Sequence, residues 1–466
     1  GDGRREFVDL PQWSRMCSLT GGTAHLVDAP HTNLSAALSS SLVRSATRPS
    51  GRSCTFKLRA SRGIDVVGFC APKGTVHTHF SGCELEAAGM DSDSSVVVNL
   101  DVASNLSEDA MAYFQSATLY KNAKGQRVIR VCTLAVPTSD RLQDVFRCSD
   151  MDAVACVLGR RAAVAAGFEG HRNASLEGLG EESKTGSRGS LAKARERLIE
   201  STVETLASYR LNTDAIQSPK GQLILPEALK ILPLYALSTL KSHSVRASRP
   251  RGGRRSDPPS PRADFRCAHL QALASAPPRL ILALVHPSLY SVLDMPNEAG
   301  LLFTPETPPE GEAEGGDEMM EERTKPYLKL PKSITPSMAA MSQEGVYLLD
   351  CATVFFLYVC RGAPSSALSS LFGLAALPAE GGGAGQLPSA LDPASDLSSR
   401  LLAVVSDLRS DRPGHSPLKV VFQGRSETAE DETELLSRLV DDSTPHEVSY
   451  VDFLVAVHRK IQAKMT

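Results

Sequence analysis

The sequence predicts a multidomain α+β protein, because the spacing of its apolar residues changes twice along the chain. Its 466 residues are enough for about two to four domains. Apolar and polar residues alternate at every second position over 53–136, which is typical of antiparallel strands. From 140 the apolar spacing becomes helical, and after an acidic segment at 304–323 strand-like and helical patterns mix. We therefore predict an antiparallel β-sandwich, an all-α domain and a small α/β unit, in that order.

The strand CTFKLRA shows the alternation of the sandwich most clearly. Phe56 and Leu58 would lie on one face, and Lys57 and Arg59 on the other. The segments IDVVGF, SSVVVNLDV and QRVIRVCTLAV continue the same pattern. In the strand-like H-T-H of His77 to His79 the two histidines have a spacing that can hold a metal ion, but no Cys or carboxylate cluster accompanies them. Exposed strand histidines are the preferred interpretation.

Residues 1–45 are too few to close a core, so they are expected to complete a domain that begins earlier. FVDL reads as the end of a strand, LTGGTAHL as a Gly-Gly turn before another strand, and 33–44 as a short helix.

The most apolar stretch of the helical region is LILPEALKILPLYALSTLK, at 223–241. Two prolines, Glu227 and Lys230 exclude a membrane span. We predict a packed helix with Pro226 in its first turn and a kink at Pro233. Its buried face would hold Leu225, Leu229, Leu232, Ala236 and Leu240.

Three low-complexity segments are predicted to be disordered surface insertions: a polar one at 172–189, a basic, proline-rich one at 248–262 and the acidic one at 304–323. The basic segment suits acidic lipid or RNA, but a solvated loop is the preferred interpretation.

The last third of the chain predicts a sheet flanked by helices. RLILALV, GVYLLDCATVFFLYVC and LKVVFQG are strand-like, and His286 is expected as a structural histidine at a strand end. Helices are predicted at 365–372, 396–409 and 430–440, and from Ser449, where Asp452 completes a capping pattern.

Composition and motifs argue against catalysis. The net charge of −3 and the 5% aromatic content do not favour a polyanion binder. None of the ten cysteines forms a C-x-x-C pair, and a reducing compartment is expected. No nucleophile elbow, phosphate-binding loop or dinucleotide fingerprint occurs, and no signal peptide or membrane span is predicted. Asp91 and Asp93 are expected to satisfy donors of a turn, and Asp150 to cap a helix.

Taken in chain order, several segments resemble the cargo-binding adaptor subunit of the COPII inner coat. They are VDLPQWSRMCSLTGGTAHL, FKLRASRGIDVVGF, QRVIRVCTLAVP, LPEALKILPLYALSTLKS, VHPSLYSV, EGVYLLDCATVFFLYV and SYVDFLVAVHRKI. The resemblance runs from about residue 7 to the end, and SYVDFL with LPEALK is similar to the C/D-like branch. It implies the end of a vWA-like trunk at 1–45, a β-sandwich at 46–137, a helical domain at 138–267, a gelsolin-like domain at 268–425 and C-terminal helices at 426–466 that pack on the helical domain. The family's zinc ribbon and most of its trunk are absent, so no cofactor is expected in this chain.

The resemblance implies a non-enzymatic coat subunit on the cytosolic face of ER exit sites. It would form a heterodimer with the GTPase-activating sister subunit and contact the coat's small GTPase, the outer-coat cage proteins and, peripherally, the ER membrane. Its ligands would be export signals on cytosolic tails of cargo and SNARE proteins, with no nucleic acid. The alternatives are the sister subunit itself, a gelsolin-type actin-binding protein and, least favoured, a hydrolase or transferase.

The family's cargo-associated strand, R-x-R-C-S-K-G, maps onto Lys57, Arg59 and Arg62, with Leu58 flanking. Basic side chains beside an apolar wall suit acidic or hydrophobic signals, because charge-assisted bonds hold a carboxylate while the wall buries a side chain. Lys57 replaces an arginine and loses bidentate geometry, and Ala60 replaces the cysteine.

Overall fold

The structure is a computed structural model. It describes residues 8–27, 34–71, 73–79, 82–103, 106, 111–166, 187–213, 219, 221–247, 262–304, 326–378, 387–444 and 447–465. The chain divides into two compact units, one formed by Gly1–His286 with Val440–Thr466 and the other by Pro287–Leu439. The predicted boundary at 268 therefore falls inside the first unit, and the other predicted boundaries stay predictions. Most of the three predicted insertions lies outside the described residues.

The first unit contains the β-sandwich. Its strands are β1 (Ser50–Ala60), β2 (Ile64–Cys70), β3 (Thr75–His79), β4 (Gly82–Asp91), β5 (Val97–Val102), β6 (Met111–Lys121) and β7 (Arg127–Pro137). One sheet has the order β3-β4-β1-β6-β7 with antiparallel neighbours, and β2 pairs with β5 in the second. Phe56 and Leu58 of β1 pack on buried Phe69 and Leu85 between the sheets. The predicted antiparallel sandwich is confirmed.

Two helices precede the sandwich, α1 (Leu10–Thr20) and α2 (Leu34–Thr47). The predicted strand end and second strand in this region were wrong. Pro11 lies in the first turn of α1, where a proline is tolerated, and Gly21 ends the helix with a φ of 75°. Residues 23–27 form neither helix nor strand.

The helical part of the first unit comprises α3 (Leu142–Arg147), α4 (Met151–Ala165), α5 (Ser187–Asn212), α6 (Leu232–Lys241), α7 (Ala263–Ser275), α8 (Pro278–Val285) and α12 (Tyr450–Lys464). Because α5 begins at Ser187, the last three residues of the predicted insertion at 172–189 are helical. Asp150 accepts a hydrogen bond from the Ala153 N–H at 2.9 Å and caps α4, as predicted.

The apolar segment 223–241 forms a short 3-10 turn, Glu227–Leu229, followed by α6. The predicted kink was wrong, because Pro233 lies in the first turn of α6 and interrupts no helical hydrogen bond. The predicted buried face is largely confirmed. Leu229, Leu232, Ala236 and Leu240 are buried, and Leu225 is partly buried against the same core.

The second unit has a five-stranded sheet. Its strands are β8 (Ser288–Ser291), β11 (Ser333–Ile334), β12 (Val346–Asp350), β13 (Phe355–Val359) and β14 (Leu418–Phe422), in the order β11-β8-β12-β13-β14, and only β13 and β14 are parallel. Separately, β9 (Leu302–Phe303) pairs antiparallel with β10 (Tyr327–Leu328). Helices α9 (Ser365–Phe372) and α10 (Asp396–Ser410) pack on one face, as predicted, and α11 (Ala429–Leu436) on the other.

GVYLLDCATVFFLYVC is strand-like as predicted and forms the antiparallel hairpin of β12 and β13. Two predictions in this part of the chain need correction. RLILALV is helix α8, which starts at the proline pair 277–278, so His286 follows a helix. Helix α11 packs on the sheet of the second unit, so only α12 packs on the helical core as predicted, through Phe453, Val457 and Ile461.

The cap of α12 agrees with its sequence. The Ser449 hydroxyl donates to the Asp452 carboxylate at 2.7 Å and accepts from the Asp452 N–H at 3.2 Å. Within the described ranges, no helix is both long and apolar enough to cross a bilayer.

Candidate binding surface on strand β1

Lys57 lies on the outer face of the five-stranded sheet and is already paired. Antiparallel register places it opposite Glu84 of β4, and its Nζ lies 2.6 Å from Glu84 Oε1. Both side chains are about one-quarter exposed, at 24% and 27%. A ligand carboxylate would have to compete with Glu84 for this ammonium group.

Arg59 lies on the same face and is more available. Its Nη1 donates to Oε1 of Gln115 on β6 at 3.3 Å, a long bond at an exposed position. Gln115 in turn reaches Thr133 of β7 at 3.5 Å. Among the described residues, the other guanidinium donors of Arg59 have no hydrogen-bond partner.

Arg62 lies in the tight turn between β1 and β2. The Ile64 N–H donates to Ser61 O at 3.1 Å, and Gly63 has a φ of 93°, which favours glycine. The Arg62 side chain is exposed and has no side-chain partner among the described residues. Its five donors are available to a ligand.

Leu58 does not share this surface, so the prediction that it flanks the basic residues is corrected. It is half-buried and packs toward Phe69 and Leu85 between the two sheets. Successive side chains of a strand point to opposite faces, so Leu58 supports the strand from beneath.

The apolar wall of the outer face comes from β7, which sequence reasoning did not assign to the site. Val131 and Ile129 are 52% and 65% exposed. Register along β1, β6 and β7 places Val131 in the row of Lys57, and Ile129 in the row of Thr55. CTFKLRA and QRVIRVCTLAV share a two-residue period, and this signal could have located Val131 and Ile129. To place them beside β1, however, one has to know that β6 pairs with both β1 and β7.

Comparison with known proteins bears on this domain directly. Residues 51–139 match the Sec23/Sec24 beta-sandwich domain, and residues 182–282 match the Sec23/Sec24 helical domain. The human protein transport protein Sec24B is 26% identical over 98% of this chain and 31% of its own length. The Arabidopsis thaliana protein transport protein SEC24 B is 28% identical over 98% of this chain and 36% of its own length.

Nearly the whole chain is thus similar to these Sec24 proteins. It spans about a third of the length of these relatives. The crystal structure of the human COPII-coat protein Sec24c has the same fold, with a TM-score of 0.73 at 24% identity over 99% of this chain and 52% of that one. Human Sec24A and Sec24C proteins are each 26% identical to this chain, so its place in the C/D-like branch stays a prediction.

The two histidines of β3 do not form a metal site with described neighbours. His77 is exposed, with Nε2 3.4 Å from Glu86 Oε2, and the side chain of His79 lies outside the described residues. Across the described part of the chain, no group of three or more His, Cys, Asp and Glu side chains is placed to hold a metal ion.

Asp91 and Asp93 hold α2 against the sandwich, a role that the sequence did not indicate. Asp91 Oδ2 lies 2.8 Å from Lys73 Nζ and 3.1 Å from Arg48 Nη2, and Asp93 Oδ1 lies 2.6 Å from Arg44 Nη2. Burial alone would raise the pKa of Asp91, but the hydrogen bond and charge of Lys73, with Ser94 and Arg48, lower it below its ordinary value. This cluster is structural.

Arg160 of α4 joins the sandwich to the helical core of the first unit. It is 0% exposed and donates to the carbonyl oxygens of Ser95 and Ala276, each at 2.8 Å, and of Cys70 at 3.4 Å. It also bonds the Ser95 hydroxyl. Burial lowers the pKa of Arg160, but a guanidinium remains protonated. These bonds attach the β2–β5 sheet of the sandwich to the helical core.

Proposed function

We propose that this Sec24-like chain belongs to a COPII coat component that selects cargo by binding export signals on cytosolic tails during transport from the ER to the Golgi. The observation that carries the proposal is the outer face of the sandwich. There Arg59 offers guanidinium donors, and Val131 and Ile129 offer exposed apolar surface. Arg62 adds further donors from the turn that follows β1.

The chemistry of this surface favours a short acidic peptide with a neighbouring apolar residue. A guanidinium can hold a carboxylate through two parallel hydrogen bonds, and an adjacent apolar side chain would cover the valine and isoleucine of β7. Arg59 and Arg62 should contribute most, because Lys57 must first leave Glu84. Exposed ion pairs are worth only about 0–1 kcal/mol each, so the apolar contact is needed for affinity.

We propose the wider role from the similarity of the chain to Sec24 proteins. The protein would act without catalysing a reaction and without a cofactor in this chain. It would work beside a GTPase-activating sister subunit, the small GTPase and the outer-coat proteins, at the cytosolic face of ER exit sites.

The test is the double variant Arg59→Ala plus Arg62→Ala, titrated by calorimetry with a peptide that carries two acidic residues and one large apolar residue. We expect affinity to fall about tenfold, the effect of roughly 1.4 kcal/mol, with an unchanged circular dichroism spectrum. Arg141→Ala plus Arg147→Ala removes two exposed arginines at α3 and is the matched control. Equal peptide affinity for the Arg59/Arg62 variant and the unmodified chain would remove this surface from the proposal.

A second assay separates the cargo adaptor from the sister subunit. The purified chain should not accelerate GTP hydrolysis by the coat's small GTPase, because a cargo adaptor supplies no catalytic arginine to the nucleotide. Strong stimulation by this chain alone would favour the sister subunit instead.

A further inference from the structure

A crevice of about 500 Å³ lies in the second unit, beyond the carboxyl ends of the two parallel strands β13 and β14. The last residues of these strands, Val359 and Phe422, line one side of it. The first turns of α9 and the segment 375–377 that follows this helix line the other side. Ligands of sheets with parallel strands bind in crevices outside the carboxyl ends of the strands. The volume lies within the range of about 300–1,000 Å³ that is typical of sites for small molecules.

The charged side chains that line the crevice are both cations, Arg361 and Arg425, and no described Asp or Glu lines it. Arg425 Nη2 donates to Pro378 O at 2.5 Å, so this guanidinium also holds the wall that follows α9. The guanidinium of Arg361 makes no hydrogen bond or ion pair with any described residue, and its side chain is exposed. A negatively charged ligand would therefore meet attraction here without displacing a carboxylate of the protein.

Gln423 adds an oriented pair of donors to the same crevice. Its Oε1 accepts the Arg361 N–H at 2.9 Å, and its own backbone N–H donates to Val359 O at 3.0 Å. Because the side-chain oxygen is engaged, the two hydrogens on Nε2 are the groups left for a ligand, and they have no acceptor among the described residues. A carboxamide held in this way suits an anion and not a cation.

The floor of the crevice is apolar. Leu368 of α9 and Phe422 of β14 are only 7% and 1% exposed and belong to the core of the second unit, and half-buried Leu377 packs against that core. These side chains offer contact to an apolar body and no hydrogen bond to a charge. A ligand that uses both parts of the crevice therefore combines an anionic head group with an apolar body.

We propose that this crevice binds a small organic carboxylate with an apolar body. The carboxylate accepts hydrogen bonds from the Arg361 guanidinium and from Gln423 Nε2, and the apolar body lies against Leu368 and Phe422. One guanidinium without a described partner and one carboxamide match the single charge of a carboxylate better than the double charge of a phosphate monoester. The site lies in the second unit and not on the β1 face, and it does not depend on the role in COPII transport.

The test uses octanoate, which combines a carboxylate with an apolar chain, below the concentration at which it forms micelles. Its binding to the full chain is measured by saturation-transfer NMR of the ligand. Octanamide has the same body without the charge, and acetate has the charge without the body. We expect octanoate to bind and each of the other two to bind at least about tenfold more weakly, because each lacks one of the two contacts.

Two protein variants locate the site. Arg361→Gln removes the guanidinium at an exposed position. Gln423→Glu keeps an oxygen that can accept the Arg361 N–H but replaces the Nε2 donors by a negative charge beside the ligand. Each variant should bind octanoate about tenfold more weakly. Lys332→Gln removes an exposed cation next to β11, at the opposite edge of the same sheet, and this control should bind octanoate as the unmodified chain does.

Several outcomes would overturn the proposal. One is no binding of octanoate, and another is equal binding of octanamide. Unchanged octanoate affinity of the Arg361→Gln chain would place the ligand elsewhere, and tighter binding of octyl phosphate than of octanoate would assign the crevice to phosphate monoesters. If the Gln423→Glu chain fails to fold, Arg361→Gln and the three ligands still decide. The Arg59/Arg62 variant should bind octanoate normally, so failure here is distinct from failure of the proposed function.

Discussion

Replacement of Arg160 by methionine tests how much one buried side chain contributes to the attachment of the sandwich to the helical core, which the Ser95 N–H also joins through Ser275 O at 2.9 Å. Methionine nearly fills the space but donates no hydrogen bond. The carbonyl oxygen of Ser95 would lose its Arg160 donor at 2.8 Å, and that of Ala276 would keep only the Ser95 hydroxyl, which also donates to it at 2.8 Å. Hydrogen bonds to charged groups contribute about 1.5–3 kcal/mol each. Relief of the buried charge offsets part of that sum, so we expect a net loss of roughly 3 kcal/mol in the free energy of unfolding.

The assay is urea denaturation followed by far-UV circular dichroism, with hydrogen exchange as a local reading. The Arg160→Met chain should unfold at lower urea, and the amides of the segments before β5 and after α7 should exchange faster. Arg161→Met is the control, because Arg161 is the exposed neighbour on the same helix. If Arg160→Met stays within about 0.5 kcal/mol of the unmodified chain, as surface substitutions do, the anchoring role is refuted.

Three further predictions concern buried charge and backbone strain. Because the pKa of Asp91 is lowered in the folded state, its contribution to stability is present above about pH 4 and is lost as pH falls through the folded pKa. Asp91→Asn should therefore flatten the acid limb of a plot of stability against pH. Burial lowers the pKa of Lys241 to about 8, and its Nζ donates to Val440 O and Asp442 O, each at 2.6 Å. The unfolded chain then binds more protons between about pH 8 and 10.5, so this group makes the free energy of unfolding rise over that range by at most ~3 kcal/mol. Lys241→Met should abolish that rise, and its persistence in the variant would contradict the assignment. Ala352 has a φ of 61° in the β12–β13 turn, so Ala352→Gly should raise the thermal midpoint, by an amount equivalent to about 1 kcal/mol. A lower midpoint would show that the turn is not strained.

The sequence predicted the sandwich because burial there alternates between neighbouring residues. Phe56 faces the core and Lys57 the outside, and a two-residue period records that difference directly. The same reasoning placed the cargo-associated residues on β1, but the resemblance added Leu58, which the alternation itself assigns to the core. In this case the local pattern was the better guide.

Short apolar runs gave the errors in secondary structure. RLILALV has no polar residue between Leu280 and Val285 to set a period, so strand and helix were equally compatible with it. The proline pair that starts helix α8 was the informative signal. Pro233 likewise marks the start of α6. The apolar spacing continues without a break before Pro233, so the sequence did not show that a new helix begins there.

Contacts between distant residues were beyond any local pattern. Arg160 bonds residues 65 and 116 positions away, and nothing around it in the sequence distinguishes it from exposed Arg161. The exposure of β7 was hidden for a related reason. Alternation shows that a strand has two faces, but the neighbours in the fold decide whether either face is covered.

The position of α12 has a consequence for how the chain is made. The final segment, 440–466, completes the core of the first unit, yet the whole second unit, 287–439, precedes it along the chain. During synthesis the second unit can fold as soon as it has emerged, since its two hydrophobic clusters draw only on its own residues. The first unit, although its strands leave the ribosome earlier, must wait for Phe453, Val457 and Ile461. Until then Leu237 and Leu240 lack the helix that covers them, so a ribosome that stalls late leaves the older half of the protein exposed to chaperones and proteases.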